Sequence, residues 1–500
     1  MGFKVKLSTS VKWLTFAFIL FVFGNSWEPG VGLDTATYGA IAKEILRSGS
    51  WFAPRLAPGI FDPFVEHPYL ILWLDALSIK LLGPTAQAIH FTSSILGIAG
   101  LLFFFLAIQK LIDETAAFFS ILCLLTVNVF MNFMSSGWLD MPMISFTLIG
   151  FYFATRTSEK AVSTNSLLTG FFLGLAVLSK GVAAVGVFPV ALFLVLNSSS
   201  RLKVLSYFFL GIFTPLAAFT LAHYQSQGFV FWTEYLHRQL FVHNVPTELS
   251  GDMAGWLWYP RDILTHAHFV ALLFIPGAYF LWKRHYRALT FAVVAQFAIH
   301  FLVYAFSYRH NRQYLLPVFP WMALATGFLL SQRWKISVPK WSQGLFYIAV
   351  FYFFIVSFIP VTVHNIGSAD IYALSEYVKQ SRIQKIYFEA SEEDRIRGEM
   401  TSSYVAWYLD RTPVMFSADQ LQEIYTRLTE TEALLLVRGK RNDLYFQQAD
   451  NVCAWNKTWI LISTKENCSG LNRKISVPPI KRDLERQEYL SEATKLSSSD

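Results

Sequence analysis

The chain has 500 residues, of which 54% are hydrophobic and only 15% charged, with 47 Phe. Its apolar residues fall in long repeated blocks instead of the alternating periods of a soluble fold, so most of the chain is expected in lipid. The net charge is +7, yet no Lys/Arg-rich tract interleaved with aromatics is present, which argues against a nucleic-acid partner.

About eleven spans fit the apolar blocks at roughly 17–25 residues each. They are predicted near 12–28, 87–109, 115–136, 140–156, 165–180, 181–198, 203–223, 266–282, 288–306, 313–330 and 341–361. Lys180 and Gly181 interrupt an otherwise continuous apolar run, so the division there is the weakest. The first block follows Lys4, Lys6 and Lys12 and resembles a signal peptide, but Asn25-Ser26-Trp27-Glu28-Pro29-Gly30 lacks a small-x-small cleavage site and an uncleaved helix is expected. Arg156/Lys160, Arg201/Lys203, Lys283/Arg284/Arg287 and Arg333/Lys335 lie in short links on the same side as the N-terminus by an odd-even count. Those links are therefore expected to be cytoplasmic, and segments 29–86 and 224–265 together with everything after 361 periplasmic.

The chain thus reads as an all-α membrane bundle over 1–361, a small α/β or α+β soluble domain over 362–480 and a disordered tail over 481–500. Within the soluble domain, strands are predicted at 385–389, 433–438 and 458–463, and helices at 369–380 and 417–430. Cys453 and Cys468 both fall there, where a disulfide is permitted but not dictated.

The first outer segment carries the densest chemistry. Tyr38, Ile41, Ala42, Ile45 and Leu46 recur at helical spacing over 35–47, and a second helix is predicted from Pro68 to Leu82, ended by Gly83-Pro84. Asp34 lies at the start of the first helix, where it is either an N-cap or a functional carboxylate; Glu66-His67 immediately precede the second. Trp51, Arg55, Asp62 and Tyr69 crowd a loop too long for a simple connector.

Four further groups stand out. Asp140 opens an apolar segment with Pro142 in its first turn, and is a cap or a site group. Lys180 either snorkels to the headgroups or meets an anion. Arg309 and Arg312 flank His310 in an outer link, against the positive-inside tendency, as interfacial anchors or as forks for phosphate oxygens. Segment 224–265 adds His237, His243, Trp256, Trp258 and Tyr259; His237 and His243 could join Glu66 or His67 around a divalent metal, but no short ligand spacing supports such a site, so no metal or other cofactor is assigned.

In order, these motifs resemble the bacterial members of the protein mannosyltransferase superfamily, especially the undecaprenyl-phosphate aminoarabinose transferases, which share the membrane fold called GT-C. The residues that carry the resemblance are Asp34 with Tyr38, Trp51-Phe52-Ala53-Pro54-Arg55, Glu66-His67-Pro68-Tyr69-Leu70 with Trp73, Leu139-Asp140-Met141-Pro142, Leu178-Ser179-Lys180-Gly181 and Arg312-Gln313-Tyr314-Leu315-Leu316-Pro317. The resemblance spans roughly residues 30–330 and implies an inverting transfer from a polyprenyl-phosphate sugar, with a membrane lipid or glycan as acceptor. Asp34 would be the base, Glu66 would place the acceptor or brace the loop, and Asp140 would support the cavity. Lys180, Arg309 and Arg312 would neutralise the leaving phosphate, and Tyr38, Arg55, His67, Tyr69, His243, Tyr259 and Tyr314 would complete the substrate contacts. A monomer is expected. Two positions depart from the family: His67 stands where it has lysine, and Thr37 where it has arginine. Other classes remain open, namely a protein or oligosaccharide O-glycosyltransferase, a secondary transporter and a membrane scaffold.

Overall fold

The computed structural model describes residues 8–26, 31–157, 161–239, 255–305, 311–358, 369–390 and 395–437, then 452–456, 458–464, 468 and 473–475. Two compact units emerge from its contacts. One comprises Met1–Trp27, Val65–Ser78 and Ala88–Ile359; the other comprises Glu28–Phe64, Ile79–Gln87 and Pro360–Asp500. Segment 28–64 thus groups with the C-terminal residues, a division that crosses the linear cut at 361.

In the first unit the helices run α1 (Thr9–Ser26), α3 (Leu70–Leu82, whose last turn belongs to the other unit), α4 (Ala86–Leu111), α5 (Glu114–Leu125), α6 (Asn128–Met134), α7 (Asp140–Ala154) and α8 (Val162–Lys180). They continue with α9 (Val187–Leu196), α10 (Arg201–Gln227), α11 (Val230–His237), α12 (Gly255–Lys283), α13 (Arg287–Ala305), α14 (Phe319–Arg333) and α15 (Val338–Phe358). Among the described residues, six helices are long and apolar enough to cross a membrane, or seven if the bent pair α5 and α6 is one span. That pair turns by 84°. Asp113 caps α5 by accepting from the Ala116 amide at 2.7 Å, while at the other end the Thr126 hydroxyl donates to the Cys123 carbonyl, so the freed carbonyl is satisfied at the bend.

Segment 224–265 is more helical than its aromatic content predicted. Trp256, Trp258 and Tyr259 lie inside α12, because the α-helix tolerates aromatics wherever its backbone groups bond internally. Helices α8 and α10 approach closely through glycine: a Cβ on Gly170 would fall 2.0 Å from the Phe208 carbonyl oxygen, and one on Gly211 would fall 2.2 Å from that of Leu167. Small residues at such crossings are what lipid-embedded helices use to bring their backbones together.

The second unit contains α2 (Leu33–Ser48) and the C-terminal elements α16 (Ala369–Tyr372), α17 (Ser375–Gln380), β1 (Lys385–Glu389), α18 (Arg395–Tyr404), β2 (Thr412–Phe416), α19 (Leu421–Arg427), β3 (Glu432–Val437), β4 (Val452–Trp455), β5 (Trp459–Ile462) and β6 (Arg473–Lys474). The strands form one six-stranded sheet in the order β2-β1-β3-β5-β4-β6. β1 pairs parallel with β2 and β3, β5 runs antiparallel to β3 and β4, and β6 is parallel to β4. Phe416, Leu421, Ile424, Leu434, Leu436, Ile460 and Ile462 form a core on the sheet. Strands β1, β3 and β5 match the predicted runs; β2, β4 and the two-residue β6 were not predicted, since Thr-Pro-Val-Met-Phe, Val-Cys-Ala-Trp and Arg-Lys are short and carry no alternation. Cys453 and Cys468 are joined as a disulfide. The predicted tail 481–500 lies outside the described residues.

Candidate active site

Asp140 is placed by its local sequence. Gly137 takes a left-handed φ of 76° and its amide donates to the Ser93 hydroxyl at 3.0 Å, which turns the chain so that α7 starts at Asp140. Lys180 is the last residue of α8, and its ammonium donates to the Asp140 carboxylate at 2.5 Å. Both are buried, at 2% exposure for Asp140 and 8% for Lys180, so each charge depends on the other. Gly181 follows with φ of 63°, and a Cβ there would meet the Tyr235 hydroxyl at 1.7 Å. Only glycine fits, and the Tyr235 hydroxyl then accepts the Val182 amide at 2.6 Å.

Lys180 Nζ lies 5.8 Å from the centre of the Tyr314 ring, which stacks on Tyr304 at 4.5 Å. Three motifs far apart in sequence, at Asp140, Lys180 and Tyr314, therefore meet: the acid of the first, the lysine of the second and the tyrosine of the third. Arg312 opens a 3-10 stretch, Arg312–Val318, and its Nε lies 3.3 Å from Asp262 Oδ1. His266, one turn further along α12, places Nε2 3.3 Å from the same oxygen, and its Nδ1 is 3.0 Å from Asn128 Oδ1 at the start of α6. Asp262 and His266 were missed from sequence, although their i, i+4 spacing after Tyr259 was the available signal. Tyr259 is fully buried one turn before Asp262.

Glu66 pairs with Arg238 at 3.9 Å, and its carbonyl accepts from the Gln239 amide group at 2.9 Å; His67 follows it, half-buried, before α3. Tyr69 is fully buried, with its ring centre 5.5 Å from Phe219, 5.0 Å from Phe231 and 6.5 Å from His223. Packing among these rings fixes its orientation, and its hydroxyl is buried with no hydrogen-bond partner among the described residues. His243 and Arg309 lie outside the described residues.

In the second unit, Asp34 is the second residue of α2, after an N-cap at Gly32, so the carboxylate is not the cap that its position suggested. It is half-buried in the first turn, where the amide dipoles favour an anion. The chain entering that turn is held by the Tyr408 hydroxyl, which accepts the Val31 amide at 3.1 Å and donates to the Val31 carbonyl at 2.7 Å. Thr37 donates to Ser403 at 2.7 Å. Further along, the Lys43 ammonium donates to the Ala406 and Trp407 carbonyls at 3.0 Å and to Asp410 at 2.7 Å, and Arg47 reaches the same carboxylate at 3.0 Å. Burial pushes the Asp410 carboxyl up, but Lys43 and Arg47 outweigh it and hold it below the usual carboxylate range. Tyr38 is buried on α2, and Arg55 spans Glu44 at 3.7 Å and Asp62 at 3.6 Å, which braces the loop. Among the described residues no group of three or more His, Cys, Asp or Glu is arranged to hold a metal ion.

The arrangement of helices matches that of ArnT from Cupriavidus metallidurans in the apo state, with a TM-score of 0.69 and 15% identity over 92% of this chain and 98% of that one. The chain has the GT-C fold. The same protein bound to undecaprenyl phosphate aligns at a TM-score of 0.67 and 13% identity, over 93% of this chain and 98% of that one. An oligosaccharyltransferase from Archaeoglobus fulgidus aligns at 0.51 and 12% identity, over 86% of this chain and 69% of that one. By sequence, residues 66–223 match the family model for dolichyl-phosphate-mannose-protein mannosyltransferase. The chain is 26% identical over 379 residues to the undecaprenyl phosphate-alpha-4-amino-4-deoxy-L-arabinose arabinosyl transferase of Aeromonas hydrophila, covering 68% of this chain and 64% of that protein. It is 25% identical over 347 residues to that of Pectobacterium carotovorum, covering 64% and 58%. The chain thus spans less than two thirds of the length of these relatives. Asp140, Lys180 and the Glu66-His67 pair fall inside the matched family region, and Asp34 and Arg312 outside it.

Proposed function

We propose that this GT-C chain is an inverting glycosyltransferase that moves a sugar from a polyprenyl-phosphate donor to a hydroxyl or phosphate acceptor at the periplasmic face of a bacterial inner membrane. The acceptor class is lipid A or another envelope glycolipid, and the working form is a monomer. The observation that carries this reading is the convergence of Asp140, Lys180 and Tyr314 from three motifs in one membrane-embedded unit, with Arg312 two residues from that tyrosine. Support comes from relatives whose names specify an undecaprenyl phosphate-linked sugar, and from the likeness to a protein bound to undecaprenyl phosphate.

The chemistry assigns complementary tasks. Asp34 takes the proton from the acceptor hydroxyl as its oxygen attacks the anomeric carbon; the bond from that carbon to the donor phosphate breaks, and polyprenyl phosphate leaves with the electron pair. Attack from the face opposite the leaving group inverts the centre, as for any single displacement at a sugar. Arg312 offers planar donors to the departing phosphate, and the Asp140–Lys180 pair sets the wall behind Tyr314. Glu66, His67, Tyr38, Arg55 and Tyr259 are assigned to shaping the loops and cavity around the substrates. Segments 50–65 and 224–265 carry acceptor specificity. A second reading, transfer to protein or to an oligosaccharide, draws on the mannosyltransferase family match and on the archaeal oligosaccharyltransferase.

The test is sugar transfer by purified protein from defined polyprenyl-phosphate sugars, wild type against Asp34→Asn. The variant is expected to lose turnover by about 100-fold or more while still binding donor, as for removal of a general base. Equal turnover in the two proteins removes Asp34 from the base role.

A further inference from the structure

Arg312 and Asp262 form a contact with a particular geometry. The carboxylate oxygen Oδ1 sits 3.3 Å from the guanidinium Nε, and no hydrogen bond between an Nη nitrogen of Arg312 and another described residue is present. Asp262 is 8% exposed and Arg312 40% exposed, so the pair is anchored at its acidic end and open at its basic end. A guanidinium has two edges able to grip an oxyanion; occupying the Nε side leaves the two Nη groups as a single fork facing the next anion. Asp262 is itself held. His266 approaches the same Oδ1 at 3.3 Å and is tied at its other ring nitrogen to Asn128 at 3.0 Å, so α12, the start of α6 and the 3-10 stretch at Arg312 are joined by one polar chain. These contacts lie beside an exceptional piece of backbone: α6 begins just after the 84° break in its span.

We infer that Asp262 is a positioning residue, which fixes the Nε edge of Arg312 so that its Nη edge forms the docking fork for the phosphate of a polyprenyl phosphate, with His266 and Asn128 holding Asp262 in place. This rests on the proposed function for the identity of the anion. Asp262 does not contact the phosphate; its negative charge opposes an anion, and its contribution is orientation. An arginine on a flexible stem loses rotamer freedom when it grips a ligand, and a carboxylate that has already ordered it removes much of that cost.

Orientation and charge make opposite forecasts for conservative and truncating variants, which makes the assignment testable. Binding of undecaprenyl phosphate to the full-length protein in detergent is measured by native mass spectrometry for wild type, Asp262→Asn, Asp262→Ala, Arg312→Ala and the double variant Asp262→Ala/Arg312→Ala. Asn keeps an oxygen acceptor for Nε and removes the repelling charge, so Asp262→Asn should bind within about twofold of wild type or tighter. Arg312→Ala should bind about tenfold more weakly, the loss of one charge-assisted contact, and Asp262→Ala up to about tenfold more weakly, because the unheld guanidinium no longer makes that contact in its set geometry. The double variant should bind no more than about twofold more weakly than Arg312→Ala, because Asp262 acts only through Arg312. Where Asp262→Ala yields no monodisperse protein, Asp262→Leu completes the same cycle.

Equal weakening by Asp262→Ala with and without Arg312, or wild-type affinity in Asp262→Ala, overturns the inference alone. A wild-type protein that binds no undecaprenyl phosphate overturns the functional reading, and the inference with it.

Discussion

Replacing Lys180 by Met removes the only cation bonded to Asp140 among the described residues and leaves a carboxylate that is 2% exposed inside the membrane unit. Breaking a buried ion pair from one side costs about 3–5 kcal/mol, because the remaining charge keeps its desolvation penalty and loses its partner. The loss of the Lys180 contact with the Tyr314 ring at 5.8 Å adds about 0.5–1 kcal/mol. Asp140→Leu strands the ammonium in the same way, whereas Asp140→Leu/Lys180→Met removes both charges and should unfold within about 1–2 kcal/mol of wild type. The coupling between the two positions is therefore expected to be about 3 kcal/mol or more. Thermal and denaturant unfolding of the purified protein in one detergent, with hydrogen exchange at the start of α7 and the end of α8, measures it. Single variants that unfold with wild type, or a double variant no more stable than the worse single one, would refute the argument. A stable double variant also separates packing from chemistry, since its turnover reports the pair without a folding defect.

Two further outcomes follow from the backbone geometry and from the ion pairs of α2. Gly181→Ala and Gly228→Ala both place a side chain at a left-handed φ, but only the former puts a Cβ 1.7 Å from a hydroxyl, while nothing lies within 4 Å of the latter. Gly228→Ala should cost about 1 kcal/mol and Gly181→Ala distinctly more, with loss of the Tyr235–Val182 hydrogen bond, as read by melting temperature. For Asp410, the folded carboxyl sits below its unfolded value, so its contribution is present above about pH 4 and is lost as the pH falls through the lower folded value. Hydrogen exchange in α2, corrected for intrinsic rate, should rise through that acid range in wild type and lose this dependence in Asp410→Asn; identical profiles would remove the Lys43–Asp410–Arg47 contact from that role.

The fold class was legible because its causes are local and repeated. Apolar blocks the length of a bilayer, lysines and arginines in alternate links and the glycine-ended helices at 35–47 and 68–82 all act over a few residues. Asp140 and Lys180 were legible as groups that an apolar setting does not tolerate alone, but their pairing was not, since nothing in either motif encodes contact across 40 residues. Asp262 and His266 escaped notice for the same reason: in sequence they sit among tryptophans and prolines that read as an interfacial loop, and only the continuation of α12 through Tyr259 brings them to Arg312. The surroundings of Tyr69 were not legible either: Phe219, His223 and Phe231 come from distant segments of the chain to enclose its ring. Asp34 kept its place at the head of α2, but Gly32 took the cap, because the helix starts one residue before the carboxylate.

The sugar is expected to leave polyprenyl phosphate with inversion at its anomeric carbon. Purified wild-type protein in lipid nanodiscs, given a donor of known anomeric configuration and an envelope glycolipid acceptor, tests it by product analysis. One free polyprenyl phosphate for each sugar transferred and the opposite anomer in the product are expected; an unconsumed donor, or a product that retains the donor's configuration, would rule out inverting transfer from this donor.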